Sequence, residues 1–200
     1  MNAAVIRLKI TLQDTEPPIW RRIEVPAAIT LKDLHAAIQA AMGWQNIHLF
    51  RFEAGRQTID GPGLGGASPF GSSNFTAGRV TLDDLTARNI KRFSYLYDMG
   101  DNWEHDLRIE KVLNADHAVL YPRYIDGAQR CPPEDVGGIP GFYRFLDALE
   151  DPKYPDHHHL LEWHGGPFDA NIIDEDKIRK RLATIAARRL RKTVPPKRKN

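Results

Sequence analysis

The chain has 200 residues, of which 42% are hydrophobic and 27% charged, a composition that fits a globular protein with room for a real core. No apolar run approaches the ~20 residues that span a bilayer, and the single cysteine, Cys131, excludes an intramolecular disulfide and fits a reducing, cytoplasmic setting. The net charge of +2 is unevenly placed: residues 177–200 hold 11 of the 28 Lys and Arg and no Asp or Glu, so residues 1–176 carry 17 basic against 26 acidic side chains, a net of −9.

The N-terminal segment alternates. Ile6, Leu8, Ile10 and Leu12 share one face and Arg7, Lys9 and Thr11 the other, which predicts a half-buried strand over Val5–Leu12 and not a secretory signal. Pro17-Pro18 turns the chain, and Ile19–Val25 makes a second strand, with Trp20, Arg22 and Glu24 on the face away from Ile19, Ile23 and Val25. Thr30 is a helix N-cap with Asp33 in the first turn. Leu31, Leu34, Ile38 and Ala41 or Met42 form the apolar stripe, and Gly43 is the stop. A strand over His48–Phe52 follows.

Residues 55–78 are rich in Gly, Pro and Ser and predict one long loop. Within it, Gly61, Gly63 and Gly66 satisfy a dinucleotide-type glycine spacing, but Ser68-Pro69 stands where the helix of such a site should begin. Thr81–Leu85 predicts a short capped helix. Arg92–Tyr97 and Trp103–Val112 predict a hairpin around Asp98-Met99-Gly100-Asp101-Asn102, with Gly100 at the positive-φ position. The alternation places Trp103, His105, Leu107 and Ile109 together on the core side.

Ala118–Tyr121 is a further candidate strand, and the prolines and glycines of residues 130–138 dictate irregular chain. Helices are expected over Phe142–Leu149, Asp156–Trp163 and about Asp174–Arg191. The fold class is α+β: a mostly antiparallel sheet with a strand–strand–helix–strand N-terminal half, helices on one face and a C-terminal helix. One domain over residues 1–187 and a disordered basic tail over 188–200 describe the organisation.

Four ordered blocks carry a resemblance. They are Pro18-Ile19-Trp20-Arg21-Arg22 with Val25-Pro26; Leu34-His35 through Met42-Gly43-Trp44 with His48-Leu49; Tyr97-Asp98-Met99-Gly100-Asp101-Asn102-Trp103-Glu104-His105; and Cys131-Pro132-Pro133-Glu134-Asp135-Val136-Gly137-Gly138 with Gly141-Phe142. Together they resemble the Ri-plasmid open-reading-frame-three-like family over about residues 4–180, with Met99 a mild departure from the phenylalanine usual there. The resemblance implies a compact α+β domain linked to plasmids and mobile elements, with no established activity. Some members carry a transposon-resolvase label. A serine resolvase needs a nucleophilic serine near the N-terminus, and the first serine here is Ser68.

Two chemistries compete. Asp98, Asp101, His105, Glu134 and Asp135 offer oxygen and imidazole ligands, with Asp98, Asp101 and His105 the candidate ligands of a divalent metal ion in a metal-dependent hydrolase. Asp and Asn in turns also bond their own backbone, and a core histidine needs only a hydrogen-bond partner. The main reading is a binding or accessory module that contacts nucleic acid through Arg188, Arg189, Arg191, Lys192, Lys197, Arg198 and Lys199, with the metal-dependent hydrolase as the alternative. Cys131 reads as packing, the His157–His159 run as solvated surface, and Trp20, Trp44, Trp103 and Trp163 as core.

Overall fold

The computed structural model describes residues 3–64 and 75–193. Along the chain run β1 (Ala4–Leu12), β2 (Trp20–Pro26), α1 (Leu31–Met42), β3 (Phe50–Ala54), β4 (Gln57–Asp60), β5 (Phe75–Thr76), α2 (Leu82–Ala87), β6 (Arg92–Tyr97), β7 (Trp103–Asn114), β8 (Arg123–Ala128), α3 (Gly138–Glu150), α4 (His157–His164) and α5 (Glu175–Thr193). The strands form one sheet in the order β5-β4-β3-β6-β7-β1-β2-β8. Every pairing is antiparallel except β4 with β5. The protein is therefore α+β with a mostly antiparallel sheet, as expected from its alternating segments.

The central strands show why this register holds. Ile6, Leu8, Ile10 and Leu12 of β1 are essentially inaccessible, each contributing about 1.5–3 kcal/mol by burial. A slip of one residue would expose all four. On the opposite face, Glu24 accepts Arg7 and Arg123, each at 2.7 Å. Burial alone would raise its carboxyl pKa, but these two guanidinium groups hold it below the usual carboxylate range.

Helix α1 covers the apolar face. Its cap is the expected one: the Thr30 side chain accepts the Asp33 N–H, and Gly43 ends the helix at φ +95°. Helix α5 packs on α1 and β8 through buried Ile178, Leu182 and Ala186, and stays helical to Thr193.

Several expectations are corrected. Residues 55–78, expected to be one long loop, contain β4 and β5 near their ends, because Arg51–Ala54 supplies a partner edge for Gln57–Asp60. Gly61 serves packing: a Cβ there would fall 2.6 Å from the Phe50 ring. Gly66, the third glycine of the spacing, lies outside the described residues. The strand expected at Ala118–Tyr121 is absent. Arg123–Ala128 pairs with β2 instead, burying Tyr124 and leaving Leu120 49% exposed. Trp163 is not core but 42% exposed on α4, and Trp20 is half-buried between Lys9 and Arg22. In the β6–β7 turn the left-handed residues are Asp98 and Asn102, both at φ +57°, and not Gly100. Asp and Asn tolerate that region because a short polar side chain can bond locally, and the Asp98 carboxylate accepts the Gly100 N–H at 2.9 Å.

Candidate metal centre

The β3–β6 ladder builds the first half of the site. Phe50 pairs with Tyr97, so the next residues outward, Leu49 and Asp98, face each other, and the Asp98 N–H donates to the Leu49 carbonyl at 2.9 Å. His48 precedes β3 and is not held in a ladder, contrary to the expected strand start. It is thus free to turn its ring toward Asp98, and Nε2 lies 3.5 Å from Asp98 Oδ2.

The irregular segment 130–137 brings the second half. Trp44 Nε1 donates to the Pro132 carbonyl at 2.9 Å, Arg21 Nη2 donates to Cys131 Sγ at 3.2 Å, and the Gly137 N–H donates to Asp101 Oδ2 at 3.2 Å. Pinned at three points, the segment places Glu134 Oε2 3.6 Å and Asp135 Oδ1 2.9 Å from His48 Nε2. One imidazole nitrogen thus faces three carboxylates from two separate parts of the chain.

The ligand atoms of His48, Asp98 and Asp135 all lie within 4.8 Å of one another, the one such cluster among the described residues. Atoms bound at ordinary metal–ligand distances sit about 3–4 Å apart. His48 Nε2 is itself buried without a hydrogen bond; its approach to Asp135 is close but not aligned as an N–H···O bond. Glu134 is anchored from behind, since Oε1 accepts the Gln45 N–H and the Tyr97 hydroxyl donates to Oε2 at 3.1 Å. The same hydroxyl accepts the Ile47 N–H at 3.1 Å. Burial first, with the Glu134 carboxylate nearby, pushes the Tyr97 phenol up to about 12, so it stays a donor.

Of the five residues expected at the site, Asp98, Glu134 and Asp135 converge. Asp101 lies at the same junction but turns its carboxylate to the start of α3. His105 is elsewhere, fully inaccessible in the core, with Nδ1 near the Tyr95 and Trp103 carbonyls and its ring edge-on to Trp44. Burial pushes its pKa down to about 4, so the ring is neutral. The alternation of β7 had already assigned it to the core side. An isolated histidine at the expected start of a strand has no motif spacing to mark it; the signal His48 does carry is membership of the second resemblance block.

The remaining candidates are dispersed. Arg189 Nη1 pairs with Asp33 Oδ2 at 2.6 Å, while Arg188 and Arg191 are exposed. Lys192 belongs to α5, and Lys197, Arg198 and Lys199 lie outside the described residues. His157 bonds the Ala148 carbonyl at 2.7 Å, and His158 and His159 face outward. No described helix is long and apolar enough to cross a membrane.

The chain is similar to known proteins over nearly its whole length. It is 40% identical over 194 residues to the uncharacterized protein y4hQ of Sinorhizobium fredii (strain NBRC 101917 / NGR234), covering 96% of this chain and 97% of that protein. It also resembles the crystal structure of the protein of unknown function MM3350 from Methanosarcina mazei Go1, with a TM-score of 0.77 and 33% identity over 88% of this chain and 98% of that one. The pattern of the plasmid pRiA4b ORF-3-like proteins runs through residues 4–177, the span that holds both halves of the His48 cluster, and the chain belongs to that family.

Proposed function

We propose that this protein binds a divalent metal ion through His48, Asp98 and Asp135, with Glu134 beside them, and uses it for hydrolytic chemistry. The observation that carries the reading is the buried, hydrogen-bond-free His48 Nε2 facing three carboxylates. One nitrogen and several carboxylate oxygens suit Zn or Mn. Three protein ligands leave coordination positions for water, which a bound ion acidifies, and Asp98 and Glu134 are sufficiently buried to keep their charge effective. The site thus replaces the expected Asp98–Asp101–His105 set by His48, Asp98 and Asp135.

The test is thermal unfolding with Mn2+ or Zn2+ against chelator. The ion should raise the melting temperature of the natural protein and have no effect on His48→Ala or Asp135→Ala. Asp135 is largely exposed, so its variant should fold. An unchanged melting curve with either ion, measured by the same scan, sinks the proposal.

A second reading rests on the concentration of charge in residues 177–200, where 11 basic residues meet no acidic one, and on exposed Arg188 and Arg191. It predicts salt-sensitive binding of DNA or RNA that disappears when residues 188–200 are deleted. Absence of binding by the full chain at low salt counts decisively against it.

A further inference from the structure

The cavity beside the metal cluster has a composition that neither reading uses. It encloses about 460 Å3 between α5, α4 and segment 130–135, within the range of small-molecule sites. Four of its lining residues are cations: Arg21, Arg130, Lys177 and Arg181. None has a carboxylate at ion-pair distance among the described residues.

Arg21 is the unusual one. It is 2% exposed, yet its guanidinium donates only to neutral groups: the Ala41, Trp20 and Ala128 carbonyls and the Cys131 sulfur. Buried charges are ordinarily paired, because taking a charge out of water without a partner is strongly unfavourable. Arg181 is half-buried and donates to the Trp44 carbonyl. Burial lowers its pKa, with Glu134 offsetting this only at longer range. Arg130 lies over the Phe168 ring at 4.4 Å, and Lys177 is exposed at the rim.

Three carboxylates also line the cavity, but each has another engagement. Glu134 and Asp135 face His48, and the Asp174 carboxylate accepts the Lys177 N–H at the start of α5. Among the described residues, none of the three reaches ion-pair distance of the four cations, so the cations outnumber the carboxylates and are not directly paired with them. The cavity's apolar wall includes the exposed indole of Trp163, a flat surface beside the positive groups, and the Phe168 ring on which Arg130 lies.

We propose that this cavity binds a mononucleotide-sized phosphate monoester, its dianion among Arg130, Lys177 and Arg181 over buried Arg21 and its planar ring against the exposed indole of Trp163. Several unpaired cations suit a dianion better than a single carboxylate, and guanidinium groups match phosphate geometry. Aromatic faces stack on flat heterocycles whatever their sequence of polar atoms. The proposal does not depend on a metal ion.

The test is calorimetric titration of the chelator-treated full chain with the four common nucleoside 5′-monophosphates and the matching nucleosides. At least one monophosphate should bind, and its nucleoside should bind at least about tenfold more weakly. The Arg130→Gln/Lys177→Gln double variant, altered away from the packed core, should lose about tenfold or more in affinity, and Trp163→Ala should weaken binding as well. Circular dichroism checks that each variant is folded. Failure of all four monophosphates to bind overturns the proposal, as does equal affinity for the nucleoside or undiminished binding by the folded double variant. Because the metal is removed, failure here leaves the His48 site standing, and failure of metal binding leaves this one standing.

Discussion

Gly138 sits against the Asp101 carbonyl so closely that a Cβ on it would fall 2.5 Å from the oxygen, and its φ of +67° already disfavours any side chain. This contact joins the β6–β7 turn to the start of α3, and so joins the two halves of the candidate centre. Gly138→Ala should lower stability by about 2–4 kcal/mol, from backbone strain and the clash together. Gly100→Ala is the control. Its φ is not in the left-handed region, and its Cβ would meet only the Asp98 side chain at 3.2 Å, so a loss of about 1 kcal/mol or less is expected. Urea titrations of the two variants should differ clearly; equal losses would refute the joint.

Tyr97→Phe removes the hydroxyl that holds Glu134 and accepts the Ile47 N–H. Ile47 is exposed, so its N–H can turn to water, and losing this partly buried bond should cost about 0.5–1.5 kcal/mol. Loss of a group that orients the carboxylate should also weaken divalent-ion binding about tenfold. A variant that binds the ion as tightly as the natural protein would show that Glu134 takes no part.

Stability should fall with acid in a window set by buried histidine. His105 is pushed down to about 4 by burial, against 6.5 when unfolded, and His35 is lowered to about 4 for the same first reason. Between these values the unfolded chain takes up protons that the folded chain refuses. Their contribution is therefore complete above pH 6.5 and is lost as the pH falls toward 4, at up to about 1.4 kcal/mol per pH unit for each ring. In urea midpoints measured across that window, His105→Leu should flatten the slope. A slope identical to that of the natural protein would place the proton uptake elsewhere.

Cys131 is buried, and burial pushes its thiol up despite Arg21 and Arg130 nearby. Little thiolate exists at neutral pH, so an aromatic disulfide reagent should modify the folded protein very slowly and react promptly once urea unfolds it. Rapid stoichiometric labelling of the folded chain would contradict this packing.

Local chemistry was legible where a segment carries its own instructions. The Thr30 cap, the Gly43 stop and the β6–β7 hairpin follow from residues that are neighbours in sequence. The alternation of Trp103, His105, Leu107 and Ile109 placed His105 in the core, and that is where its ring lies. The strand expected at Ala118–Tyr121 forms at Arg123–Ala128 instead, because β8 is selected by the available edge of β2 and by burial of Tyr124, not by local apolar content. Long-range pairing outweighs weak β propensity there.

The centre divides in the same way. Asp98, Glu134 and Asp135 could be singled out because a tight turn and a Pro/Gly-constrained segment present carboxylates conspicuously in the sequence. His48 could not, because its role depends on the β3–β6 register bringing Leu49 opposite Asp98, and on Trp44, Arg21 and Asp101 pinning residues 131–137 beside it. By itself the sequence determined β1, β2, β6 and β7, the caps of α1 and the core side of the central strands, since those arise from the period of apolar residues and from local backbone bonds. The tertiary structure alone decided which histidine meets the carboxylates and that Arg21 is buried with no carboxylate at ion-pair distance among the described residues, since both depend on contacts between residues far apart in the chain.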